Sequence, residues 1–229
     1  MRFSTIALVA ALGAASLWPA GVRASGPCSY FDDCTVDGWT AQAATVEVGT
    51  SGGIGGSCYL RCGDLPSPPI SAIIAPASYY QVDWSLASGV CFCFKLDDDG
   101  WSSYTQPVSN LLYISNSTVT DGIRAVFILN TAINEGDGWH CYTAPLHTIS
   151  SGDPLPSNGD GHWGFTGGSG STWEDWNNLI TNVNVAFFPG DIGGSPSQTE
   201  DFGVDNFCLG CIEVGTEPTT WGTLKALYR

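Results

Sequence analysis

Short runs of β-type residues alternate with clusters of Gly, Pro, Asn, Asp and Ser from Tyr30 onward. That is the pattern of an all-β domain. Strands are predicted at Cys28–Asp32, Ala43–Val48, Ser57–Arg61, Ile70–Ile74, Tyr79–Trp84, Val90–Leu96, Asn110–Ile114, Ile123–Leu129, His140–Thr143, Val183–Phe188 and Gly203–Leu209. Between Ile123 and Leu129 strict alternation puts Ile123, Ala125, Phe127 and Leu129 on one face and Arg124 on the other. Arg124 is therefore predicted to look outward. Val90-Cys91-Phe92-Cys93-Phe94 is apolar on both faces, which marks a central strand covered on each side, with Cys91 and Cys93 sharing one face. One short helix is predicted, Thr172–Ile180, capped by Ser171 or Thr172 and carrying Glu174 and Asp175 in its first turn. Turn formers gather at Gly49–Gly56, Asp97–Ser103, Ile149–Gly161 and Asp191–Glu200, and none of these stretches reads as an interdomain linker.

The first 24 residues read as a signal peptide: Arg2, an apolar run from Ile6 to Leu17, and small residues around Val22-Arg23-Ala24. The remaining stretch, 25–210, is about the size of one β-sandwich domain, and 211–229 reads as a C-terminal tail ending in Trp221 to Arg229. No apolar run reaches the length of a membrane-spanning helix. The predicted localisation is secreted or cell-surface.

Charge narrows the partners. The chain holds 7 basic residues against 22 acidic ones, for a net charge of -15, and loss of Arg2 and Arg23 makes the exported chain more acidic still. A surface of that sign repels phosphate backbones, so nucleic acid and anionic membranes are excluded as expected partners. Nine cysteines, Cys28, Cys34, Cys58, Cys62, Cys91, Cys93, Cys141, Cys208 and Cys211, point to several disulfides in an oxidising compartment. The short gaps Cys28 to Cys34, Cys58 to Cys62 and Cys208 to Cys211 suggest local staples. The odd count leaves at least one thiol unpaired or linked to another chain.

A series of short signatures runs through the domain in order. Tyr30-Phe31-Asp32-Asp33 with Gly38-Trp39 is followed by Gly55-Gly56-Ser57-Cys58-Tyr59-Leu60, Ile74-Ala75-Pro76-Ala77-Ser78-Tyr79-Tyr80 and Gly89-Val90-Cys91-Phe92-Cys93-Phe94. Gly138-Trp139-His140-Cys141-Tyr142-Thr143-Ala144-Pro145-Leu146, Leu179-Ile180-Thr181-Asn182-Val183 and Val204-Asp205-Asn206-Phe207-Cys208-Leu209 complete it. Over Cys28 to Leu209 this series resembles the laminin domain IV (laminin B) type of jelly roll, within the broader galactose-binding-like group of carbohydrate-binding modules. The resemblance implies two antiparallel sheets face to face, with sugar or protein contacts on a concave face or at loop tips, and a structural calcium joining first and last strands. The extra cysteines and the aspartate-rich loop depart from it.

Candidate chemistry follows. Calcium needs six to eight oxygens converging from loops, and Asp32, Asp33 and Asp205 are the carboxylates for such a site if the first and last strands are neighbours. The plain alternative has Asp205 capping a turn and Asp33 in solvent. Asp97-Asp98-Asp99-Gly100 resembles half of a calcium loop but reads better as a hairpin turn, because Trp101-Ser102-Ser103-Tyr104 stand where further ligands belong. Sugars pack their C–H faces on aromatic rings, so Trp101, Tyr104, Trp163, Trp173 and Trp176, in or beside loops, are the candidate platform, with burial in the core as the competing reading for each. Asn116-Ser117-Thr118 has the glycosylation pattern.

Catalytic signatures are missing. Gly-x-Ser-x-Gly and His-Glu-x-x-His do not occur, and the adjacent carboxylates Glu174-Asp175 and Glu200-Asp201 cannot flank a glycosidic bond because sequence neighbours point apart. No catalytic residues are expected. The sequence thus predicts an all-β jelly-roll sandwich with one short helix and several disulfides, a secreted non-catalytic module that recognises a glycan or an extracellular protein. The alternatives are an adhesive structural protein without sugar binding and a glycan-cleaving hydrolase on the same fold.

Overall fold

The computed structural model describes residues 26–64, 71–96, 107–192 and 200–211. Twelve strands occur in this order: β1 (Cys28–Ser29), β2 (Thr40–Gln42), β3 (Ala44–Gly49), β4 (Tyr59–Asp64), β5 (Ala72–Ile74), β6 (Gly89–Leu96), β7 (Val108–Ser115), β8 (Arg124–Ile133), β9 (His140–Pro145), β10 (Gly161–Phe165), β11 (Val185–Pro189) and β12 (Asp201–Leu209). Two helices are present, α1 (Ala77–Tyr80) and α2 (Trp173–Thr181). One sheet runs β3-β4-β12-β6-β9 with β1 added to β12; the other runs β10-β8-β7-β11-β5-β2. All pairings are antiparallel. From β4 onward the chain crosses repeatedly between the two sheets, which pack face to face as in a jelly roll.

Period-2 patterning builds the core between the sheets. From the first sheet come Val46, Leu60, Cys62, Phe92, Phe94, Leu96, Phe202 and Val204, and from the second Ile73, Leu111, Ile114, Ala125, Phe127, Trp163, Ala186 and Phe188. Phe94 stacks between Phe188 and Phe202 at centroid separations of 5.9 and 5.1 Å. A buried polar knot ties the first strand in: the Trp39 Nε1–H donates to Ser29 Oγ at 3.1 Å, and the Tyr80 hydroxyl donates to the Phe207 carbonyl at 3.1 Å.

Three differences from the sequence reading have physical causes. Tyr79–Trp84 is a helical turn followed by a 3₁₀ turn at Trp84–Leu86, because the buried pair Tyr80 and Trp84 is spaced by four, not two, and the Trp84 Nε1–H donates back to the Tyr80 carbonyl at 3.0 Å. The strand β10 starts at the last residue of the predicted loop and runs on through residues given no element; Gly161 and Gly164 hide its alternation of Trp163 and Phe165 inward and His162 outward. The short β2 escaped notice altogether.

The disulfides are also not the local staples that spacing suggested. They join Cys28 to Cys208, Cys34 to Cys58, Cys91 to Cys211 and Cys93 to Cys141. Cys28 faces Cys208, and Cys93 faces Cys141, across neighbouring strands. Cys211, assigned by sequence to the tail, is bonded to β6 and so belongs to the domain. The ninth cysteine, Cys62, sits on β4 at 0% exposure in the core, where it cannot reach another chain; a link between chains through it is not compatible with the folded domain.

The predicted helix is α2, and its start is a capping box: Thr172 Oγ1 accepts the Asp175 N–H at 3.1 Å while Asp175 Oδ2 accepts the Thr172 N–H at 3.2 Å. The N–H groups of Ser171 and Thr172, which both donate to Asp175 Oδ2, hold its carboxyl below the usual range. Thr172→Ala is expected to lower stability by about 1 kcal/mol, the usual effect of losing an N-cap, read from the urea midpoint.

Candidate functional site

The two outer faces of the sandwich differ. On the first sheet, Cys91 and Cys93 face outward from β6 and are closed by their disulfides. Beside them Lys95 Nζ lies 4.3 Å from the centre of the Tyr59 ring and 5.3 Å from that of Trp139. Gly203 of β12 makes room for this cluster, since a Cβ there would fall 2.8 Å from Trp139 and 2.9 Å from Lys95. The Trp139 Nε1–H donates to the Gly52 carbonyl at 2.7 Å, so the glycine-rich loop closes over this face.

The second sheet carries an aromatic row instead. In β7, Leu111 and Leu112 both enter the core, and the register shift between Asn110 and Tyr113 restores alternation so that Asn110 and Tyr113 face out. Tyr113 pairs directly with Phe187 of β11, and the two rings stack at 5.2 Å and 23°. Ala72 and Ile74 of β5, Val185 of β11 and Val119 from the β7–β8 connection pack around them as a second apolar cluster, separate from the main core. Register extends the row across all six strands: Gly164, Val126, Tyr113, Phe187, Ile74, Thr40. At about 4.8 Å per strand the row is about 24 Å long.

Polar groups border this row. Asn110, His162, Thr40 and Gln42 are exposed and face the same side. Tyr113 is half-buried, and burial raises its hydroxyl pKa against the opposing pull of Arg124 and of a hydrogen bond from the Asn110 side chain. Arg124 lies diagonally across from it, because Tyr113 pairs with Val126 and Ser115 with Arg124. The arrangement is a flat ring face flanked by donors and acceptors, which is the geometry that packs a pyranose and bonds its hydroxyls.

The residues expected to form the platform are dispersed. Trp101 and Tyr104 lie outside the described residues. Trp163 and Trp176 are core residues, at 2% and 0% exposure, and their indole N–H groups donate to the carbonyls of Pro145 and His147 at 2.8 and 2.9 Å. Neither offers a ring face to a ligand, which corrects their assignment; both join elements around the same core, where a large amphipathic ring with one donor fits. Trp173, at the first position of α2, is 37% exposed. Tyr113 and Phe187 were missed, although Phe187 within the alternating Val185-Ala186-Phe187-Phe188 carried a signal: two adjacent phenylalanines in one strand must face opposite ways.

Asp32, Asp33 and Asp205 do not come together as one ligand set. Asp205 is fully buried, with Oδ2 accepting the Ile54 N–H at 2.9 Å and Oδ1 the Asn206 N–H at 2.8 Å. Asp33 is exposed and Oδ1 accepts from the Thr35 N–H and hydroxyl at 3.1 and 2.8 Å, while Asp32 is exposed beside it. Amide donors on both Asp205 oxygens suit a carboxylate that pins the glycine-rich loop. Among the described residues no three His, Cys, Asp or Glu side chains gather as a metal-holding group.

Many of the remaining carboxylates serve their own turns. Asp83 caps Ser85, Asp121 holds Thr118 and Thr120, Asp137 holds Asn134, and Asp153 holds Ser150. Much of the acid surplus is thus structural. A shallow pocket of about 270 Å³ lies between His147 and Ser157, lined by Ile149, Asp153 and Pro154 to Pro156, away from the aromatic row.

No family model matches the chain, and no curated protein sequence matches it. Among solved structures, the chain is similar to an exo-beta-agarase with TM-score 0.50 and 16% identity over 82% of this chain, although it spans only 26% of that enzyme. It also aligns with the family 11 carbohydrate-binding module of the cellulase Lic26A-Cel5E of Clostridium thermocellum, at TM-score 0.44 and 13% identity, covering 85% of this chain and 100% of that one. The L4b domain of human laminin alpha-2 aligns at TM-score 0.37 and 10% identity, covering 62% and 70% of the two chains. At these identities the likeness is one of fold alone, a sandwich of two antiparallel sheets.

Proposed function

We propose that the domain is a non-catalytic glycan-binding module that holds its ligand across the outer face of the second sheet, over Tyr113. The observation that carries this reading is the Tyr113–Phe187 stack, an aromatic pair placed outside the core and bordered by exposed Asn110, His162, Thr40 and Gln42. A strand-borne ring stacked against its cross-strand neighbour is held rigidly, so little ordering accompanies binding. The comparison with a carbohydrate-binding module and with part of an agarase is consistent with a glycan as the ligand class. Four disulfides favour a chain that matures and works where thiols oxidise. Charge favours the same partners, since neutral sugars meet no repulsion from a net charge of -15.

A broad glycan array followed by calorimetry on the best ligand tests the reading. Tyr113→Ala is expected to weaken binding on the order of tenfold or more, through lost ring contact, while Trp173→Ala leaves it unchanged. Binding that survives Tyr113→Ala but fails with Trp173→Ala would move the site to α2. An array with no ligand at all would favour an adhesive, structural role.

A further inference from the structure

Three cations belong to the described residues, and two of them are committed. Arg61 bridges Glu47 at 3.3 Å and Asp201 at 2.6 Å. Lys95 is held over Tyr59 and Trp139. Arg124 has no ion pair with a carboxylate among the described residues, in a chain with 22 acidic residues against 7 basic ones. In a surface of that balance, a guanidinium without an ion pair to any described carboxylate is unusual.

Its position is built with care. Nη1 donates to the Val119 carbonyl at 3.1 Å, and Nη2 lies against the Gly167 backbone, where a Cβ would fall 2.5 Å from it. Gly167 is further committed to glycine by a φ of +68°. The turn that carries it is tied to Arg124 itself: the Arg124 N–H donates to Ser169 Oγ at 3.0 Å, and the Thr166 N–H donates to the Arg124 carbonyl at 3.1 Å. Nε is buried and has no hydrogen-bond partner. A guanidinium has five N–H donors, and one of them is satisfied here by protein. The residue is half-buried, beside Tyr113 on the aromatic face.

We infer that Arg124 is the specificity-determining residue of the proposed glycan face and selects a glycan bearing an isolated acidic substituent, a carboxylate or a sulfate ester, next to the sugar packed on Tyr113. This inference rests on the proposed glycan-binding reading and names the ligand class for it. A planar guanidinium with open donors matches the paired oxygens of either group. The net charge sets the spacing: a densely charged polymer is repelled by the rest of the surface, whereas one acidic group at Arg124 is not, because distant charges are screened within about 10 Å at ordinary salt.

The test uses matched probes on the intact, oxidised chain. These are xylo-oligosaccharides with and without a 4-O-methylglucuronate branch, and galactan oligosaccharides with and without a sulfate ester. The acidic member of one pair is expected to bind roughly tenfold or more tighter than its neutral partner, with the gap narrowing as salt rises. The Arg124 Nε–H resonance is expected to shift only with that acidic member, and which pair responds separates carboxylate from sulfate. Arg124→Met keeps the packed stem and is expected to erase the gap between the acidic and neutral members of the pair; Arg124→Lys is expected to restore part of it. Equal affinity within both pairs, or a gap that survives Arg124→Met, overturns the inference even if neutral glycans bind through Tyr113. Absence of binding by all four probes and by the wider array removes the glycan reading itself and this inference with it.

Discussion

Trp176→Ala is expected to destabilise the domain by roughly 3–5 kcal/mol, the range for emptying a large aromatic site in a close-packed core. The indole is at 0% exposure; its ring centre lies 5.6 Å from that of Trp163, which in turn lies 5.5 Å from Phe127 of β8. Through this chain of rings α2 is joined to the second sheet, with Leu179 and Ile180 buried on the same side of the helix. The Nε1–H bond to the His147 carbonyl contributes less, since His147 is exposed and water can replace the donor. The cavity dominates. Urea denaturation followed by circular dichroism should show a lower midpoint at an unchanged slope. Glycan binding measured well below the melting temperature should persist, because Tyr113 lies on the opposite face of its sheet. A stability change under about 1 kcal/mol together with lost binding would return Trp176 to the ligand platform.

How much of this was legible depended on whether the signal was local. Alternation in Ile123–Leu129 identified β8 and the outward position of Arg124, and the doubly apolar Val90–Phe94 identified β6, which lies between β12 and β9 with disulfides over its outer face. The helix was legible from Thr172 and Asp175, whose spacing is the capping box itself. Where glycine or a bulge interrupts the period, legibility fails. Gly161 and Gly164 concealed β10, and consecutive core residues Leu111 and Leu112 concealed that Tyr113 faces out. The same limit explains the tryptophans. Trp163 and Trp176 stand beside turn-rich segments, yet tertiary packing turned both inward, and nothing in their neighbours distinguishes an indole that covers a core from one that meets a sugar. The cysteine pairing was illegible for a related reason: three of the four bonds follow the neighbourhood of β6 and β12, which are remote in sequence and adjacent only in the finished sheet.

Removing the Cys28–Cys208 bond by a double alanine replacement is expected to lower stability by about 4 kcal/mol in the chain-entropy picture. The two cysteines are 180 residues apart, but the remaining bonds shorten the path between them. Through Cys34–Cys58 and Cys91–Cys211 the effective loop is about forty residues, and this length enters the estimate. The bond fastens β1 to β12, and the neighbouring knot of Ser29, Trp39 and Tyr80 relies on β1 being there, so loss of packing adds to the entropy gained by the unfolded chain. Thiol titration gives an independent check on the connectivity. The native protein should react with no equivalents of a thiol reagent, and the chain unfolded without reductant should react with one, at Cys62. Any covalent dimer should then form only after unfolding, because the Cys62 thiol is enclosed between Val46 and Phe202 in one inner row of the first sheet. A reactive thiol in the native state, or more than one after unfolding, would show that the four bonds are not all formed, and a double variant as stable as the parent would show that Cys28 and Cys208 contribute no constraint.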